Sequence, residues 1–222
     1  MKKSLLFLAV LFLVPALSFS QDIELFPYQW SSYTTRFVEG SGRGENIYLA
    51  AEKLDGFILH PGSEFSFNEN ITWRIPRGSL GYAPAIIGGR ILTAEGGGLC
   101  QVSSTLYAAA LYAGLTITER RNHSLPVNYI AIGLDATVSS SQSVDLKFVN
   151  RHEFPVIIYA DTSEGNLKVS LRAFSPNPFS VKVRISMPER EGDYIYTTTT
   201  RLIEKEGSVL SDEIVSRDIY IW

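Results

Sequence analysis

The sequence predicts an α+β fold: two short helices packed on an antiparallel, strand-rich sheet region, with the C-terminal third entirely β. Three observations lead to this expectation. Helical periodicity surfaces only twice, over 45–54 and 102–113, each followed by a glycine that can end a helix. Short alternating apolar segments recur along the rest of the chain and are the sole pattern beyond residue 161. Helices early and strands late, without regular alternation, describe α+β rather than a parallel α/β sheet.

The elements follow in chain order. Tyr33-Thr34-Thr35-Arg36-Phe37 alternates as a strand should. In the first helix Ile47, Ala50, Ala51 and Leu54 share one face, and Gly56 stops it. Phe57-Ile58-Leu59 reads as a short buried strand ended by His60-Pro61-Gly62, and Phe65 and Phe67 as an edge strand or ordered loop. Residues 69–81, with Asn70, Pro76, Gly78 and Gly81, read as a long loop of the kind that often binds ligands. Ala85-Ile86-Ile87 and Arg90-Ile91-Leu92 flank Gly88-Gly89 as a hairpin. The second helix places Val102, Leu106, Ala109, Ala110 and Ala113 on one face and ends at Gly114. Strands are then expected at 116–118, 129–132, 136–138, 145–149, 156–160, 167–174, 181–185, 194–203 and 214–222.

Residues 1–20 read as an export signal. Lys2 and Lys3 precede an apolar run from Leu5 to Leu17, and Ser18 and Ser20 stand at −3 and −1 of a cleavage site before Gln21. Cleavage leaves 21–222 as one domain with a sizeable core, placed in the periplasm or outside the cell. No later apolar stretch is long enough to cross a bilayer, so no transmembrane segment is expected after cleavage. The net charge of −3 becomes more acidic once the two lysines leave, and no basic stripe points to nucleic acid or an anionic membrane. Tyr 11, Phe 12 and Trp 3 suit a sheet with carbohydrate- or peptide-facing surfaces.

One cysteine cannot close an internal disulfide, and an exported protein that keeps a lone thiol exposes it to oxidation. Cys100 follows Gly96-Gly97-Gly98-Leu99 at a helix start, where the helix dipole and free N–H groups favour the reactive thiolate. Glycines there let the backbone approach a ligand, so Gly97 and Gly98 are candidate substrate contacts.

Two chemistries fit the pattern. Cys100, His123 and Asp135 follow the order nucleophile, imidazole, orienting carboxylate. Alternatively Cys100 and His123 bind zinc with Glu119 or Asp135 and a water, which would also protect the thiol. Glu64, Glu95 and Glu119 are further candidate acids. The bland readings are a buried Cys100, hydrogen-bonding Ser103 and Ser104 at the helix start, a turn role for His60 and a solvated His152.

The chain resembles the VanW family. The resemblance rests on Asn46-Ile47-x-x-Ala50, Pro61-Gly62-x-x-Phe65-Ser66-Phe67-Asn68 and Gly81-Tyr82-x-x-Ala85. It runs on through Gly96-Gly97-Gly98-Leu99-Cys100-Gln101-Val102-Ser103-Ser104-Thr105-Leu106-Tyr107 and Glu119-Arg120-x-x-His123-Ser124. It closes with Tyr129, Gly133-x-Asp135-Ala136-Thr137-Val138 and Asp145-Leu146-x-Phe148-x-Asn150, covering about 34–160. The family takes its name from glycopeptide-resistance clusters.

The resemblance implies an exported envelope protein acting on peptidoglycan, with cleavage of the glycan strand at a metal-assisted site. Cys100, His123, Glu119 and Asp135 are then the catalytic candidates, and Cys100 and His123 the metal ligands, with zinc the expected ion. Gln101 and Ser103 join Gly97 and Gly98 as substrate contacts, and Trp73 and Tyr82 form a sugar platform. Two departures from the family pattern stand out. Ser63 replaces a carboxylate and displaces it to Glu64, and Leu134 replaces an arginine that could meet an anion. Two other functions remain open: a cysteine-dependent amidase or transpeptidase on peptide stems, and a non-catalytic envelope or glycopeptide binder.

Overall fold

The computed structural model describes residues 25–222, so the expected export segment lies outside the described residues. In chain order the elements are β1 (Tyr28–Arg36), α1 (Gly42–Leu54), β2 (Phe57–Leu59), β3 (Glu64–Ser66) and α2 (Phe67–Asn70). A hairpin of β4 (Tyr82–Ile87) and β5 (Arg90–Glu95) precedes α3 (Leu99–Ala113), β6 (Thr116–Glu119) and β7 (Lys147–Val149). The remainder comprises β8 (Val156–Ser163), β9 (Asn166–Ala173), β10 (Ser180–Ile185), β11 (Glu189–Glu191), β12 (Tyr194–Lys205) and β13 (Ser208–Ile221). Every named pairing is antiparallel. This is the expected α+β mix. Among the described residues no helix is long and apolar enough to cross a membrane.

Two sheets and α1 enclose α3. The first sheet has the order β1-β9-β8-β2, and the C-terminal sheet has β10-β12-β11 with β13 on the free side of β12. The helix packs against β1, β9, β10 and α1. Apolar residues and alanines cover nearly its whole circumference, so it is buried all round rather than along one stripe. Its few polar groups are paired across the core: Ser31 Oγ donates to the Ala109 carbonyl at 2.7 Å, and the Thr35 and Thr105 hydroxyls meet at 2.8 Å. Gly114 (φ 83°) ends the helix, with its own N–H on Leu111 O and that of Leu115 on Ala110 O, as a left-handed cap requires.

Four expectations need correction. Residues 129–132 and 136–138 are irregular rather than strands. Their backbone groups bond to α3 and to turns instead of a ladder: Ala136 N–H donates to Ser104 Oγ, Ser103 Oγ donates to Ala136 O, and Thr137 N–H to Arg121 O. The strand at 145–149 shrinks to β7 because the Asp145 side chain turns inward to take Ser66 Oγ and the Asn68 N–H. Phe67 opens one helical turn, since Ser66 Oγ caps Glu69 N–H at 3.1 Å. His152 is buried against Trp30, Phe154 and Phe179, and burial lowers its pKa.

Candidate functional site

The glycine run is shaped by close packing. Asn46, fully buried on α1, accepts from Gly81 N–H and donates to the carbonyls of Gly81 and Gly97, both at 2.9 Å. Gly98 is left-handed (φ 119°). Gly97 lies so near β4 that a Cβ would stand 2.5 Å from Ala83 O and 2.7 Å from its carbonyl carbon. The Ala83 backbone and its Cβ leave nothing soft to yield. Gly97→Ala should therefore lower stability by about 1–3 kcal/mol, read as a drop in the urea midpoint with an unchanged slope. No side chain caps the start of α3; its first turn closes on the glycine run instead, with Leu99 N–H on Gly96 O at 3.1 Å and Gln101 N–H on Gly98 O at 2.9 Å.

Cys100 is half-buried in the first turn of α3. Its Sγ receives the Val138 N–H at 3.4 Å, which fixes the thiol against the irregular 136–138 segment. His123 is buried, with Nδ1 2.7 Å from Asp135 Oδ2 and its ring also interacting with the Cys100 thiol. The same Asp135 oxygen receives the His123 backbone N–H at 2.6 Å, so imidazole and carboxylate are locked together. Imidazole and carboxylate are thus paired, and the Cys100 thiol lies close enough to the ring to favour its protonated form.

Asp135 is itself fully buried and held from the far side. Arg120 Nη2 lies 3.2 Å from Oδ1, Arg120 Nε donates to the Asp135 carbonyl at 2.6 Å, and Tyr220 OH donates to Oδ1. Arg120 also pairs with Asp218, and Tyr220 OH accepts from Gly133 N–H at 2.9 Å. Burial alone would raise the Asp135 pKa, but the hydrogen bond to His123 and the Arg120 charge bring it below its ordinary value. Burial alone would likewise lower His123. Its hydrogen bonds to Asp135 and Cys100 prevail and push it up to about 9.

The raised His123 value sets a stability window. Protonated imidazole is favoured in the folded state, so its contribution is complete below the unfolded value of 6.5 and fades as pH rises through about 9. The expected loss is up to about 3 kcal/mol. Urea midpoints measured from pH 6 to 10 should fall across that window in the native protein, and the fall should vanish in His123→Gln.

Cys100 and His123 open into a cleft of about 1590 Å³, which Gly97, Gly98 and Trp73 also line. Other expected site residues lie elsewhere. Glu119 accepts from Asp145 N–H at 3.1 Å, pairs with Lys147 at 2.9 Å and faces a second cavity beside Tyr107 and Arg201. Gln101 is buried, with Oε1 on Arg43 and Nε2 on Thr35 and the Arg36 carbonyl, which leaves it no capacity for substrate. Ser103 is fully buried and donates to the Cys100 and Ala136 carbonyls. Ser103 and Ser104 thus hydrogen-bond at the helix start as expected, through the Cys100 carbonyl, and also tie it to Ala136. Tyr82 is exposed but is not among the residues lining the cleft, and Leu134 is buried in the core.

A catalytic zinc site takes three protein ligands and an open position. Among the described residues no three His, Cys, Asp or Glu side chains gather to hold a metal. Cys100 and His123 supply two donors, while both Asp135 oxygens are engaged by His123, Arg120 and Tyr220. The donor set present does not complete a zinc site.

Sequence reasoning missed Arg120, Asp218 and Tyr220 as parts of the site. Arg120 stands beside Glu119 in a quoted motif, whereas Asp218 and Tyr220 arrive on β13 from the far end of the chain and carry no local signal.

Comparison with known proteins matches residues 42–172 to the family model described as VanW like protein. The chain belongs to the VanW family. It is 37% identical over 144 residues to the "Uncharacterized protein YoaR" of Bacillus subtilis (strain 168), covering 64% of this chain and 47% of that protein. It is 32% identical over 149 residues to the "Vancomycin B-type resistance protein VanW" of Enterococcus faecalis (strain ATCC 700802 / V583), covering 62% of this chain and 50% of that one. The chain therefore spans about half the length of these VanW relatives. No solved structure matches it. Asp218 and Tyr220 fall beyond the matched VanW segment, so part of the buttress behind Asp135 comes from outside it, while Arg120 lies within.

Proposed function

We propose that this member of the VanW family is an exported cell-envelope enzyme that cleaves or transfers an amide bond in the peptide stems of peptidoglycan through Cys100. The observation that carries the chemistry is the His123–Asp135 pair lining the same cleft as the half-buried Cys100 thiol at a helix start, with that thiol favouring the protonated ring. The substrate class rests on the family resemblance, on the export-type leader and on the resistance protein among the relatives.

The steps follow from the geometry. Cys100 sulfur, as thiolate, forms a bond to the amide carbon, and protonated His123 gives its proton to the leaving nitrogen as the C–N bond breaks. The start of α3, with its positive dipole end and the Cys100 N–H, lies beside the sulfur, where negative charge on the carbonyl oxygen would develop. Water or an acceptor amine then opens the thioester, and neutral His123 takes the proton. Asp135 keeps the imidazole in one tautomer throughout.

Purified sacculi digested with the protein decide the bond. New amino groups and shortened or exchanged stems are expected, with no demand for added metal. Reducing or anhydro sugar ends appearing only with zinc would replace this reading with metal-assisted glycan cleavage, and unchanged sacculi would leave a non-catalytic binder.

A further inference from the structure

We infer that the hairpin of β4 and β5 is a flap that spans the Cys100 cleft, sets its tip on the end of β13 and lifts to admit a large ligand. The flap controls access to the site proposed above, and only its use in catalysis rests on that reading. β4 and β5 form a two-stranded sheet of their own, joined to no other strand. Its base sits at the start of α3: Gly96 N–H donates to Gly81 O at 3.0 Å, and Gly97 is pressed against Ala83. At the other end, a Cβ built on Gly89 would stand 3.5 Å from Ile221 Cδ1, which is ordinary contact. Ile221 N–H in turn donates to the carbonyl of Ser124, the residue after His123, at 2.7 Å.

The hairpin therefore runs from the helix start that carries Cys100 to the strand that adjoins His123. Six residues in each strand give it a reach of about 20 Å. Between its two ends, Ile86, Ile87, Gly88, Gly89 and Ile91 line the same cleft as Cys100 and His123. Ile86 and Ile91 are partners across the hairpin and so share one face. Ile91 is nevertheless 69% exposed, and Ile87 and Leu92 are exposed beside it. A ligand in the cleft would cover part of this apolar surface, which favours the lowered position once the cleft is filled.

The hairpin is stiff in itself and lightly held. Gly88 (φ 57°) and Gly89 (φ 75°) are both left-handed, as a tight two-residue turn requires, and the strands pair without a break from Tyr82–Glu95 to Ile87–Arg90. The base is pinned by Asn46 on Gly81 and by Arg43 Nη1, 3.3 Å from the Pro84 carbonyl. Beyond that point, among the described residues, no hydrogen bond or ion pair ties residues 85–95 to any other part of the protein. A segment joined to the body by apolar contact alone, with much of its surface in water, opens at low cost. The pivot lies just past Pro84 and its cross-strand partner Thr93.

Alkylation of Cys100 by a large and a small reagent tests the flap. A fluorescein maleimide needs the hairpin raised, so its rate follows the fraction of time the cleft is open, whereas iodoacetamide enters either way. Deleting Ile86, Ile87, Arg90 and Ile91 removes two cross-strand pairs and keeps the Gly88-Gly89 turn between Ala85 and Leu92. The shortened chain should react with the maleimide about tenfold faster than the native one, and with iodoacetamide at an unchanged rate. Ile221→Ser, which trims only the seat of the tip, should give about a threefold gain with the maleimide and carries the test if the shortened chain fails to fold. Lifting is read by the spin-label distance between Arg90→Cys and Arg217→Cys in a Cys100→Ala chain, where two populations are expected. The pair Glu52→Cys and Arg217→Cys, away from the hairpin, should show one. An unchanged maleimide rate in the folded variants, equal acceleration of both reagents, or a single distance at Arg90 would overturn the flap. These measurements read access alone. A failed flap leaves the Cys100 chemistry to be judged on sacculi, and intact sacculi leave the flap standing while removing that chemistry.

Discussion

Cys100→Ala should abolish stem cleavage, by about a thousandfold or more, in a protein that folds as well as the native one. The sulfur is the nucleophile in the proposed chemistry, and no other described residue can take its place: Ser103 and Ser104 are turned toward the Cys100 and Ala136 carbonyls. Groups acting as one catalytic unit lose nearly everything when one is removed. The structural consequence is small. The thiol is half-buried and makes two long contacts to Val138, so stability should change by about 1 kcal/mol or less. Cys100→Ser should be almost as inactive, because a hydroxyl with the same neighbours remains a far weaker nucleophile. Sacculus digestion and a urea melt on the same preparations separate the two effects.

Asp135→Asn should be the most damaging substitution for stability among the site residues, by about 3–5 kcal/mol, with a fall in Tm of roughly 10 °C. The carboxylate is fully buried and meets the His123 backbone and ring, Arg120 and Tyr220. Removing its charge leaves Arg120 in the interior with Asp218 as its remaining carboxylate, and puts an amide where several donors converge. His123 simultaneously loses the hydrogen bond that most raises its pKa, so activity should collapse with stability. Tyr220→Phe keeps the charge and removes one hydroxyl, and should cost about 1.5–3 kcal/mol. A thermal melt of both variants beside the native protein ranks these effects.

The legible parts of the molecule were those set by neighbours in the chain. Gly114 ends α3 and Gly56 lies just beyond α1 because a left-handed position next to a helical run has few other solutions. The His123–Asp135 pair was legible because the two residues stand twelve positions apart in one segment that folds back beside the start of α3. The misread segments share one cause. Residues 129–132 and 136–138 contain β-type residues, but no strand lies beside them: hydroxyls on α3 take the Ala136 backbone groups, and Tyr220 on β13 takes the N–H of the intervening Gly133. Glu119 qualified by residue type and spacing, yet Lys147 and the Asp145 N–H hold it beside another cavity. Tyr220 reaches Asp135 across 85 positions, and no pattern in a single chain announces such a contact.

The pairing of His123 with Cys100 is tested most directly by the rate at which Cys100 is alkylated by iodoacetamide at pH 7, in the native protein and in His123→Ala. A native rate at least tenfold faster than that of the variant is predicted, because the protonated imidazole stabilises the attacking thiolate. Equal rates in two equally folded proteins would contradict a reacting pair and leave Cys100 a bystander in the cleft.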